Sequence, residues 1–240
     1  MNIYFIIPAR GGSKCIPKKN IKLFAGKPLL EWSIIQSKGS KYFNTHSRVF
    51  VSTDSEEIQK ISISCGAECP FLRPFEISQD LSTDYEFMDH FINFLKENKI
   101  KLPDLIVQMR PTYPTRKINI IDDIIEKFIE NYDLYDSART VIENEKTPYK
   151  MYNVYNNKLI PLFNKVNNIK EPYNQCRQIL PKTYLHNGYL DIIKTESFIH
   201  AKSITGDSIM SYIMNKDEID DIDTLEDWKN AENKLLNSNF

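Results

Sequence analysis

Ile3-Tyr4-Phe5-Ile6-Ile7-Pro8, running straight into Ala9-Arg10-Gly11-Gly12-Ser13-Lys14, is the stretch on which the fold turns. The apolar run is short and has no basic flank before it, so it reads as a strand rather than a signal peptide. The unit of strand followed by amphipathic segment then recurs. A helix is expected from about Pro28 to Lys38, with Pro28 at a first helical position and Leu29, Leu30, Trp32, Ile34 and Ile35 on its apolar face. Arg48–Ser52 reads as the next strand, with a helix from Ser55 closing at Gly66, and Leu105–Met109 with a helix over Asn119–Asn131 repeats the pattern. Such alternation predicts an α/β fold, a mainly parallel sheet covered by helices.

From about Thr147 to Tyr184 the pattern changes: Tyr149, Tyr152, Tyr155 and Tyr173 stand among Asn and Lys, and helical periodicity is lost. A smaller lobe or oligomerisation arm is expected over about 147–184, as an excursion from a single domain spanning 1–240. Leu190–Ile193 and Ile209–Met214 then read as strands, and Leu225 to Leu236 as a last helix with Trp228 and Ala231 inward.

The length of 240 residues fits one large α/β domain. Lys and Arg number 31 against 32 Asp and Glu, a near balance that argues against a general nucleic-acid or membrane-surface binder and makes any anion site local. No apolar run approaches the roughly 20 residues of a membrane span, so a soluble, cytoplasmic chain is expected. Cys15, Cys65, Cys69 and Cys176 form no pair of CxxC units, against a disulfide framework or a zinc site; Cys65 and Cys69 read as small buried residues near a helix end. The histidines at 46, 90, 186 and 200 show no ligand spacing.

Ligands of an open α/β sheet sit at the carboxyl ends of its strands, so the chemistry is sought in the loops there. After the first strand, Gly11 and Gly12 let backbone N–H groups approach phosphate oxygens, while Arg10, Lys14 and Lys19 supply cationic donors. The loop is neither a Walker A sequence nor GxGxxG, and an ordinary basic surface turn is the alternative. Val51-Ser52-Thr53-Asp54 has a simple structural reading, Asp54 or Ser55 capping the following helix. In Gln108-Met109-Arg110-Pro111-Thr112-Tyr113-Pro114-Thr115-Arg116, two prolines stiffen a loop that presents Arg110, Thr112 and Arg116; a rigid connection with arginines in water is the alternative. Arg177, Lys182 and Asn187 are suited to a carboxylate and hydroxyls, or belong to an exposed loop. Asp221 and Asp223 project to one side of an extended segment and could share a divalent ion; alternatively Asp223 caps the last helix with Glu226.

In this order the segments resemble the acylneuraminate cytidylyltransferase family, the CMP-sialic acid synthetases and their relatives acting on other nonulosonic acids. The resemblance covers nearly the whole chain and rests on Ile7 to Lys14 through Lys19-Asn20, Val51 to Asp54, Pro111 to Arg116, Arg177-Gln178-Ile179-Leu180-Pro181 with Asn187-Gly188, and Asp221-Ile222-Asp223-Thr224. It implies a Rossmann-like three-layer sandwich, a homodimer held by the arm, and Mg²⁺-dependent transfer of CMP from CTP to the anomeric hydroxyl of the sugar acid with release of pyrophosphate. By that resemblance Arg10, Gly11, Gly12, Ser13, Lys14, Lys19, Asn20 and Arg110 would hold CTP, and Arg116, Arg177, Gln178, Asn187 and Tyr189 would face the sugar. Asp221 and Asp223 would hold Mg²⁺, with Arg10, Lys19 and Asp221 catalytic.

The chain departs from the family at Cys15, usually Gly; at Arg110, where many sialic acid enzymes have Gln; and at Tyr189-Leu190-Asp191 after Asn187-Gly188. A 3-deoxy-octulosonate cytidylyltransferase and a nucleotide-binding relative without turnover are the competing readings.

Overall fold

Six strands alternate with helices to build a mixed, mostly parallel sheet: β1 Ile3–Pro8, β2 Arg48–Ser52, β3 Leu105–Gln108, β4 Ser137–Glu143, β5 Tyr184–Lys194 and β6 Ile209–Ile213, in the order β6-β4-β5-β3-β1-β2. The structure is a computed structural model and describes residues 1–237. β1 pairs in parallel with β2, Phe5 opposite Val49, and with β3, Phe5 opposite Val107; β5 joins β3 antiparallel, Ile192 opposite Val107. Successive side chains of a strand point to opposite faces, and Phe5, Ile6 and Ile7 are all fully buried, so both faces of the sheet are covered. Tyr4, Ile6, Phe50 and Ile106 meet Phe87, Met88, Phe91, Ile92 and Leu95 of helix α3 in one core cluster.

The helices are α1 Leu29–Gly39, α2 Glu56–Ser64, α3 Asp84–Glu97, α4 Ile118–Glu130, α5 Thr195–Ala201 and α6 Leu225–Asn237. Expected elements lie within a residue or two of those found, with Pro28 just before α1 rather than inside it. Ser55 is the cap of α2, its side chain accepting from Ile58 N. Among the strands of this sheet and the six helices, three were not foreseen, α3, α5 and β4, and β5 begins six residues ahead of the expected Leu190. Cys69 is buried and Cys65 half-buried at the end of α2, while Cys15 and Cys176 are exposed. Among the described residues no helix is long and apolar enough to cross a membrane.

The chain divides into two compact units, Met1–Thr140 with Gly188–Phe240, and Val141–Asn187. In the second, Tyr152–Tyr155 and Lys158–Pro161 form a hairpin turning on Asn156 and Asn157, both at positive φ (46° and 63°), which a primed two-residue turn requires. A smaller hairpin joins Lys165–Val166 to Ile169–Lys170, and Tyr149 meets Phe163 edge-on.

Candidate functional site

β1 delivers its loop into a cleft of about 520 Å³ in the first unit, lined by Arg10, Ser13, Lys14, Cys15, Lys19, Asn20, Arg73, Asp80, Asp84, Arg110, Thr112 and Asp223, among others. The loop is braced from two sides. Gly11 N donates to Asp54 Oδ1 at 2.8 Å, and a Cβ at Gly11 would stand 3.2 Å from that of Ser55, so the close approach favours glycine there. Asn20, almost fully buried, donates Nδ2 to the Arg10 carbonyl at 2.9 Å. Cys15 is absent from the residues with positive φ, so its backbone does not need the glycine usual in the family.

Lys19 Nζ donates to the Ile222 carbonyl at 2.8 Å and lies 3.6 Å from Asp223 Oδ1, joining the first loop to a segment near the other end of the chain. That segment is fastened to the loop after β3: Ile222 N donates to Thr112 O at 3.0 Å and Thr115 Oγ1 to Asp220 Oδ2 at 2.7 Å. Ile222 is fully buried between the two acids. Asp221 accepts hydroxyl hydrogen bonds from Thr112 and Tyr113. Its carboxyl is held above the ordinary range, first because neighbouring protein displaces water from around it and then by the like charge of Asp223, against the pull of those bonds and Lys19. Helix α6 is capped by Thr224, which exchanges hydrogen bonds with Asp227 (Thr224 N to Oδ2, 2.7 Å; Asp227 N to Thr224 Oγ1, 3.1 Å). The expected capping pair Asp223 and Glu226 is therefore not used, and Asp223 keeps its carboxylate for the cleft.

Two residues assigned to the sugar are corrected. Arg116 is 1% exposed, its guanidinium donating to the carbonyls of Tyr189 (2.5 Å), Arg110 (2.5 Å) and Tyr113 (2.9 Å). Tyr189 is also 1% exposed, its ring beside Arg116 and its hydroxyl accepting from Lys117 N at 2.9 Å. Both hold loops together inside the protein and present no free polar surface to the cleft. Arg110 does line the cleft, but its fork is committed to Asp84 (2.5 Å) and Asp191 (2.6 Å). Gly188, at φ +73°, gives the backbone close passage beside that guanidinium.

Arg177 and Gln178 line a hollow of about 300 Å³ in the second unit, with Glu143, Asn144, Thr147 and Lys182. Lys182 is paired with Glu143 at 2.9 Å, and Asn187, half-buried, lies on β5 in the same unit.

Sequence reading missed three residues of the first cleft, Arg73, Asp80 and Asp84, and one that braces its loop, Asp54. Arg73, 7% exposed, donates to Ser52 Oγ (3.1 Å) and Ser52 O (2.7 Å) and lies over the Phe87 ring; burial pushes its guanidinium down to about 10. Asp80 takes Arg10 Nη1 at 2.9 Å and also Lys14 Nζ. Asp84 takes Gln108 Nε2 at 3.0 Å as well as Arg110, and Asp54 anchors Gly11. Arg73 and Asp80 sit in an irregular stretch before α3 with no periodic or glycine signal, and Asp84 is the first residue of that unforeseen helix; Asp54 had a signal, but one equally suited to a helix cap.

The comparisons with known proteins point the same way as the cleft. The family described as cytidylyltransferase matches residues 4–218. A pseudaminic acid cytidylyltransferase of Campylobacter jejuni is 29% identical over 226 residues, 94% of this chain and 93% of its own length. N-acylneuraminate cytidylyltransferase A of Danio rerio is 31% identical over 235 residues, 98% of this chain but 51% of that longer protein. Among solved structures, a CMP:2-keto-3-deoxy-manno-octonic acid synthetase complexed with CTP superposes with a TM-score of 0.65 at 13% identity, covering 98% of this chain and 99% of the other, a likeness of fold. With its glycine-rich loop, paired aspartates and near full-length match, this chain belongs to the cytidylyltransferase family, enzymes of the nucleotidyltransferase class.

Proposed function

We propose that the enzyme transfers CMP from CTP to the anomeric hydroxyl of a nonulosonic acid and releases pyrophosphate. The observation that carries the reading is one cleft collecting Arg10, Lys14 and Lys19 with Asp223, in a chain whose relatives matched nearly end to end include pseudaminic acid cytidylyltransferases. In-line attack on the α-phosphorus asks little covalent chemistry of the protein and much positioning and charge neutralisation. The three cations and the N–H of Gly12 receive the phosphates, while the Gly11 and Ser13 N–H groups are spent within the loop's own bracing; Asn20 and Asp54 keep that turn in place.

Asp221 and Asp223 offer hard oxygen donors on either side of buried Ile222, and two carboxylates suffice for Mg²⁺ when phosphate oxygens complete its shell. Mg²⁺ held there would neutralise charge on the transferring phosphate. Asp221 or a water held beside it by Mg²⁺ would take the acceptor's hydroxyl proton. Arg177, Gln178 and Asn187 are assigned to the carboxylate and hydroxyls of the sugar acid. CTP is a cytoplasmic metabolite, and the proposal puts the enzyme there, as a homodimer.

The test is pyrophosphate release from CTP and Mg²⁺ across a panel of sugar acids, pseudaminic acid first because those relatives match along nearly their whole length. Release with a nonulosonic acid and a loss of roughly 100-fold or more in kcat for Asp221→Asn are expected. CTP binding without release for any nonulosonic acid refutes the acceptor class, and undiminished turnover in Asp221→Asn removes that carboxylate from the chemistry.

A further inference from the structure

Two cations assigned to the triphosphate already hold an anion. Asp80 Oδ1 accepts from Arg10 Nη1 at 2.9 Å, and its other oxygen takes Lys14 Nζ. The two hydrogen bonds, from Lys14 first and then Arg10, hold the Asp80 carboxyl below its ordinary range, so it is ionised wherever the enzyme works. Arg10, Lys14 and Asp80 are 35%, 74% and 44% exposed, so no burial locks the bridge and a stronger anion can replace the carboxylate.

The turn that carries Asp80 is closed on itself. Gln79 N donates to Ser82 Oγ at 2.8 Å, Ser82 N to Gln79 O at 3.1 Å, and Gln79 Nε2 to Phe75 O at 2.7 Å. Leu81 is 94% exposed and gives the turn no apolar anchor. Helix α3 behind it has its own capping box, Thr83 with Glu86. Asp80 can thus leave Arg10 and Lys14 without unravelling either neighbour.

We propose that Asp80 is an affinity-determining residue, an internal counter-anion that occupies Arg10 and Lys14 until a polyphosphate displaces it and returns as pyrophosphate leaves. The inference rests on reading the cleft as the CTP site. Without Asp80 the two cations repel each other across an open loop; with it they are held near one another and partly neutralised. A polyphosphate brings several charges against one carboxylate and wins, but the lost Asp80 contacts are subtracted from its affinity. The same subtraction applies to pyrophosphate, so the residue weakens substrate and product together and favours release.

Asp80→Asn keeps the shape and removes the charge. Calorimetric titration of the full chain with pyrophosphate, CTP and cytidine is the experiment. Roughly five-fold tighter binding of both phosphate ligands is expected, with cytidine unchanged and the gain shrinking at high salt. In steady state, KM for CTP and the inhibition constant of pyrophosphate should fall together. Asp80→Glu should bind as the parent chain does; a gain there equal to that of Asp80→Asn would trace the effect to the turn and overturn the proposal. Unchanged or weaker pyrophosphate binding in Asp80→Asn also overturns it, making Asp80 a prop for the cations. A parent chain that binds neither CTP nor pyrophosphate refutes the reading of the cleft, and the proposal with it.

Discussion

Arg116 shows how far a residue's chemistry can be read without its surroundings. An arginine in a proline-stiffened loop after a strand suits a carboxylate ligand, yet here it is enclosed, its donors spent on the carbonyls of Arg110, Tyr113 and Tyr189 and its guanidinium beside two tyrosine rings. Burial pushes its pKa down to about 10, which leaves it cationic at neutral pH. Truncation orphans three buried carbonyls. Arg116→Ala is expected to lose about 3–5 kcal/mol of stability in denaturant unfolding, and Arg116→Lys to recover only part, since one ammonium cannot reproduce the planar fork. Full stability with a raised KM for the acceptor would return Arg116 to the sugar site. Arg10, Lys14 and Lys19, by contrast, were legible: a glycine-rich turn after a first strand leaves basic side chains at the sheet's carboxyl edge, where the structure has them.

At the scale of elements, short strands ending in polar loops and helices with a clean apolar stripe were found from sequence to within a residue or two. Helix α3 was missed although Phe87, Met88, Phe91, Ile92 and Leu95 mark one face, because the irregular stretch before it offers no strand to lead into it. β4 was missed because Ser137-Ala138-Arg139-Thr140 lacks a continuous apolar run; its place comes from the neighbours it pairs with. Asp136, just ahead of β4, accepts from Asp207 N and Ser208 N (both 3.0 Å) and Ser197 Oγ (2.6 Å), tying that strand's start to α5 and to the turn before β6. The bond from Ser197 and then the backbone bonds depress its pKa, so their stabilisation is present above the unfolded value near 3.8 and is lost as pH falls through the folded one. Asp136→Asn should therefore be less stable by about 1 kcal/mol at neutral pH, with the gap to the parent narrowing in unfolding curves taken below pH 3.8. A gap constant into acid would mean that the charge does not matter.

For the whole molecule, the unit Val141–Asn187 carries much exposed apolar surface: Val154 is 71% exposed, Tyr155 68% and Leu159 65%. A two-stranded hairpin is marginal in water by itself, and so much open apolar area on one is suited to a partner. The proposed homodimer follows from this surface together with the family resemblance. Val154→Lys combined with Leu159→Glu is expected to halve the mass read by light scattering; an unchanged dimer would put the interface elsewhere.

The sequence alone determined the alternation of strands and helices, the basic glycine-rich loop, the paired aspartates and the family, because periodicity and short motifs are local and survive in one dimension. Only the tertiary structure decided which polar residues reach the cleft and which are spent inside. Arg116 and Tyr189 are buried while Arg73, Asp80 and Asp84 line the opening, since burial and partner choice depend on segments brought together from across the chain. Asp54 and Asp223 belong to the same lesson: each could have capped a helix, yet a neighbour, Ser55 or Thr224, takes that task, which leaves Asp54 to anchor Gly11 and Asp223 to line the cleft.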